Sequence, residues 1–126
     1  GLDMETKEET EKLIESYPFD FVIGFIHTIG LCDFAIEEGF YEGKTKDQMH
    51  AKYFNAMKTC VKAFDCFDVL GHLDYVRRYG PYEDKSIDYD KHQEIINSIF
   101  QILIQKGKGI EINVSSFKQF NEFAKL

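Results

Sequence analysis

Two of the four histidines, His27 and His72, each follow a short run of β-branched and aromatic residues. Imidazole is a common metal ligand. In α/β proteins the C-terminal strand ends form the functional face. Adjacent parallel strands lie about 4.8 Å apart, so side chains at their ends can converge on one ion or substrate. Two imidazoles plus a carboxylate would nearly complete a zinc or iron shell. The residue types leave a second reading open, in which each histidine only caps or packs. Arg77 lies five residues beyond His72, and its guanidinium fork suits a phosphate. The alternative is an exposed basic loop shared with Arg78. Glu111 and Asn113 alternate with Ile110, Ile112 and Val114, which directs them to the opposite strand face, to bind substrate or to satisfy one another. His50 and His92 fall in first turns of helices and are expected to be solvated. Cys32, Cys60 and Cys66 are odd in number and form no C-x-x-C pair, which argues against a disulfide framework or a zinc finger. They are expected as small buried apolar residues.

The elements that must position these groups alternate along the chain. Thr6-Lys-Glu-Glu9 has the form of a capping box, opening a short helix to about Tyr17 that Pro18 stops, with Leu13, Ile14 and Tyr17 to bury. Residues 20–27 read as a strand apolar on both faces. A Gly-rich, acidic loop of about 18 residues follows. Thr45-Lys-Asp-Gln48 is a second capping box, and Met49, Tyr53, Ala56, Met57, Cys60, Val61 and Phe64 then recur at helical spacing. Residues 67–70 read as a strand, and a polar loop carries Arg77 and Arg78 toward Pro81. Asp90 caps a third, very apolar helix that Gly107 and Gly109 end. Residues 110–114 form a third strand, and Ser116 caps a last helix. This order, with no hairpin signal, predicts an α/β fold of about three parallel strands alternating with four helices, in one domain over residues 1–126.

Composition sets the outer limits. Of 126 residues, 44% are hydrophobic and 15% aromatic, enough to fill a core. A formal charge of −7 gives no general attraction to nucleic acid or anionic membrane. No apolar run approaches a membrane span, and the first ten residues are polar, so a cytoplasmic protein is expected. No Gly-x-Gly-x-x-Gly or P-loop pattern follows a strand.

Three blocks carry a resemblance: residues 17–27, ending Gly-Phe-Ile-His27; residues 67–82, containing Gly71-His-Leu-Asp-Tyr-Val-Arg-Arg78; and residues 107–115, containing Glu111-Ile-Asn-Val-Ser115. In order and spacing they resemble the PHP family, and within it the histidinol-phosphate phosphatases. The resemblance implies a partial (β/α) barrel and a metal-dependent phosphomonoesterase acting on a small phosphorylated substrate. It also implies divalent ions, namely zinc, iron or manganese. It makes His27 and His72 metal ligands, and Arg77 and Ser115 substrate-phosphate contacts. Gly1-Leu-Asp3 can be laid on the family's Gly-x-Glu, which makes Asp3 a third metal-ligand candidate with Asp in place of Glu. Phe25 stands where most members carry Ser. The family's opening His-x-His and closing Asp-x-His are not among these 126 residues. The expectation is therefore the central portion of such an enzyme, inactive as an isolated chain. The alternative is a non-catalytic α/β module that binds a partner, or itself through open sheet edges.

Overall fold

The computed structural model describes residues 1–33, 36 and 38–112. Its α-helices are α1 (Lys7–Ser16), α2 (Lys46–Ala63) and α3 (Tyr89–Gln105). Strands β1 (Ile23–Gly24), β4 (Val69–Leu70) and β5 (Gly109–Ile110) form a parallel sheet in the order β1-β4-β5. The α/β alternation is as the sequence predicts, with shorter strands. Asn113, Ser115 and the fourth helix lie outside the described residues.

Local signals set several boundaries. Thr45 caps α2 in a complete capping box with Gln48. Gly107 ends α3 at φ +65°, with Gly107 N–H bonded to Ile104 O and Lys108 N–H to Leu103 O. That reciprocal pair is the Schellman closure, which needs a left-handed residue where glycine sits.

Other expectations need correction. Thr6 makes no capping bond; the Asp3 carboxylate instead accepts from Glu5 N–H and opens a 3₁₀ turn (Met4–Thr6) ahead of α1. The cap of α3 is Asp88 rather than Asp90. Helix α1 buries no residue, and Leu13 and Tyr17 are exposed. The first strand is covered on one face only: Gly24 and Ile26 are buried, while Phe21 and Ile23 are exposed. The long loop contains an antiparallel hairpin, β2 (Thr28–Ile29) with β3 (Cys32–Asp33). Its two-residue turn has positive φ at both Gly30 and Leu31, +60° and +67°. Two-residue hairpin turns of this hand match strand twist but favour Asn or Gly, so Leu31 hides the signal.

The core joins α2, α3 and the covered sheet face through Phe54, Met57, Val61, Phe64, Leu70 and Ile99. Close approach depends on Gly24, where a Cβ would lie 2.9 Å from Phe67 Cγ and 3.0 Å from Leu2 Cδ1. His50 and His92 are buried, not solvated, at 2% and 5% exposure. The buried face of α2 is wide enough to include residues 49, 50, 53 and 54, and Phe54 meets His92 of α3 at 5.5 Å between ring centroids. No cysteine forms a disulfide; Cys60 is buried, as expected, and Cys32 and Cys66 are half-buried. No helix among the described residues is long and apolar enough to cross a membrane.

Candidate metal centre

The pairing of β1 with β4 brings the two chain exits together. Ile23 pairs with Val69 and Gly24 with Leu70, and Gly71 N–H continues the ladder to Gly24 O at 2.8 Å. The chain then delivers His27 and His72 to adjacent positions, their Nε2 atoms 2.9 Å apart. Aromatic rings wall the pair. Tyr75 stacks on His27 at 4.1 Å between centroids, and Phe25 lies 4.4 Å from His27 and 5.2 Å from His72.

Burial is the main reason that the pKa of each imidazole lies below the ordinary histidine value. At His27 the charge of His72 pushes the same way, whereas at His72 Glu111 and Asp74 oppose the shift. Both rings are therefore neutral at pH 7, with lone pairs to offer. Two nitrogens bound at 2.0–2.1 Å in a tetrahedral shell stand roughly 3.3 Å apart, so a small opening of this pair suits a zinc-like ion. The donor set fits a divalent metal. It is incomplete: among the described residues no three His, Cys, Asp or Glu side chains gather at a metal-holding site.

The remaining candidates lie apart in role. Asp3 is buried, and its carboxylate accepts from Glu5 N–H, Thr28 hydroxyl and Leu31 N–H. It ties the N-terminal turn to the hairpin. Burial raises its pKa, but these three bonds outweigh that and the net shift is downward. Arg77 bonds to Asp74 at 3.5 Å. Its neighbour Arg78 lies over the Tyr75 ring at 5.8 Å, and its charge depresses both His27 and His72. Of the two arginines, Arg78 is thus the one whose charge reaches both histidines, as a minor contribution beside burial, a distinction invisible in an Arg-Arg dipeptide. Glu111 accepts a hydrogen bond from His72 N–H at 3.0 Å, a role that neither of its two sequence readings named. Tyr75 gave no sequence signal beyond its place three residues after His72. Ser115 lies outside the described residues.

The paired imidazoles thus lie just beyond the C-terminal ends of neighbouring parallel strands in an α/β protein. The chain belongs to the PHP domain family, whose model matches residues 1–115. It is 42% identical over 119 residues to the histidinol-phosphatase of Lactococcus lactis subsp. lactis (strain IL1403), an alignment taking in 93% of this chain and 44% of that protein. A probable histidinol-phosphatase of Clostridium acetobutylicum is 31% identical over 113 residues, 90% of this chain and 44% of that protein. The crystal structure of the Lactococcus lactis histidinol phosphate phosphatase, complexed with zinc, L-histidinol and phosphate, superposes with a TM-score of 0.89. That match is 42% identical and spans 94% of this chain and 45% of that one. The chain therefore spans less than half the length of these relatives.

Proposed function

We propose that this chain is part of a PHP-type (β/α) barrel phosphatase, contributing two histidine ligands to a centre that hydrolyses a small phosphate monoester of the histidinol phosphate kind. The observation that carries the reading is the 2.9 Å approach of His27 Nε2 to His72 Nε2 from neighbouring parallel strands. Zinc-like cations, when bound, would polarise a phosphoryl oxygen and lower the pKa of a water nucleophile. His27 and His72 supply neutral nitrogens, while Phe25 and Tyr75 pack against the rings and restrain them. Arg78, with Arg77 beside it, offsets the charge of a transferring phosphoryl group. Asp3 is a third ligand candidate, its carboxylate also engaged with the hairpin through Thr28 and Leu31.

With two imidazoles and no third donor gathered among the described residues, we read the isolated chain as binding zinc without turnover. The exposed Phe21, just before the edge strand β1, and Ile23 within it favour self-association of that isolated chain. The test is a zinc titration of the 126-residue chain, its His72→Ala variant, and an assay with histidinol phosphate. Stoichiometric zinc that His72→Ala abolishes supports the reading. Zinc content unchanged in that variant would defeat the ligand assignment, and chelator-sensitive hydrolysis would defeat the inactive-portion reading.

A further inference from the structure

His72 has φ +24°, an uncommon conformation for a residue with a side chain. Such a conformation persists only where its surroundings over-determine it. Here both peptide groups are held. The carbonyl of His72 accepts from Tyr75 N–H at 3.1 Å and from the Tyr53 hydroxyl at 3.4 Å. Its amide donates to Glu111 Oε2 at 3.0 Å, from a residue 39 positions later. Glu111 is itself fixed by its own N–H to Leu70 O at 2.8 Å. The path to His72 crosses Gly71, where a Cβ would sit 3.2 Å from Glu111 Oε2 and 2.9 Å from Ile23 Cγ2. The missing side chain at Gly71 leaves the space through which the carboxylate reaches.

We propose that Glu111 is a positioning residue for His72: its carboxylate, passing over Gly71, holds the His72 amide and thereby keeps that imidazole opposite His27. This deepens the phosphatase reading and rests on it for its purpose, since a ligand pair is only as useful as its fixed geometry. Glu111 acts through the backbone and not as a donor to the ion; no three-donor group forms with the histidines among the described residues. Groups that orient a metal ligand typically change metal affinity about 10- to 100-fold when removed.

The test uses the full 126-residue chain with Glu111→Ala, Glu111→Asp and Glu111→Gln. In the metal-free protein, NMR hydrogen exchange at the His72 amide should accelerate on the order of 10- to 100-fold in Glu111→Ala, the scale of a lost bond to a charged acceptor. The imidazole nitrogen signals of His27 and His72 should change with it. Glu111→Asp, too short to reach, should behave as Glu111→Ala and replaces it if the alanine variant does not fold. Glu111→Gln keeps an acceptor oxygen and should retain most of the protection. In a zinc titration Glu111→Ala should bind about 10- to 100-fold more weakly, with Glu111→Gln restoring most of the affinity. Wild-type exchange and imidazole signals in folded Glu111→Ala or Glu111→Asp would overturn the proposal. So would a Glu111→Gln variant that loses as much zinc affinity as Glu111→Ala, because that pattern marks a direct ligand. If the wild-type chain binds no zinc, the phosphatase reading fails, while the metal-free exchange still decides the role of Glu111.

Discussion

The rings of His50 and His92 meet edge to face across the α2–α3 joint, centroids 5.8 Å apart, and each is buried with one nitrogen lacking a hydrogen-bond partner. His50 Nδ1, His92 Nε2 and Asp47 Oδ1 are the buried side-chain atoms in this state among the described residues. Burial, and secondarily the charges of His92 and Lys46, push the His50 pKa down to about 4, against weaker opposing pulls from Asp47 and Asp84.

A depressed histidine pKa fixes the sign of a pH effect. Between pH 6.5 and about 4 the unfolded chain binds the proton and the folded chain does not, so stability falls as pH falls through that window. Urea unfolding at successive pH values should show this slope. His50→Leu should flatten it; an unchanged slope in that variant would assign the acid sensitivity to other groups.

Asp3 governs a second, more acidic window. Its lowered pKa means that its stabilisation is present above pH 3.8 and disappears as pH falls through the folded value. Asp3→Ala removes an acceptor for three donors and should cost about 2–3 kcal/mol, the scale for bonds to a charged group inside a protein. Chemical denaturation measures the loss, and faster exchange at Leu31 N–H would locate it in the hairpin.

Two glycines should respond differently to alanine. Gly24→Ala drives a Cβ into Phe67 and Leu2 and should destabilise by about 1–3 kcal/mol through overpacking. Gly107→Ala meets no atom within 4 Å, so its cost, about 1–2 kcal/mol, comes from the left-handed backbone alone. Combining Gly24→Ala with Phe67→Leu should recover part of the first loss and none of the second, as thermal melts can show.

Arg78 and Arg77 separate by what they touch. On the zinc-loaded chain, Arg78→Ala should weaken inorganic phosphate binding at least about 10-fold, the scale of one charge-assisted contact. Arg77→Ala, which breaks the bond to Asp74, should have the smaller effect. Calorimetric titration with phosphate distinguishes them, and the reverse order would return the phosphate contact to Arg77.

The sequence by itself determined whatever depends on neighbours along the chain. The Thr45–Gln48 capping box, the stripe of α2, the Gly107 stop and the strand runs ending near His27 and His72 are set by spacing within a few residues. So the α/β order and the histidine pair were legible. The tertiary structure decided what depends on distant partners. Asp3 was a ligand candidate in sequence; across 28 positions it also supports the Leu31 turn. Polar first turns implied solvated histidines, yet α2 and α3 pack at those turns and bury His50 and His92. Only the 3₁₀ turn Tyr75–Arg78 sets Arg78 over Tyr75, and only the parallel pairing of β4 with β5 carries Glu111 to the His72 amide. Periodicity encodes which face of an element is apolar. It does not encode which element will cover that face, and burial, hydrogen-bond partners and pKa all follow from the covering.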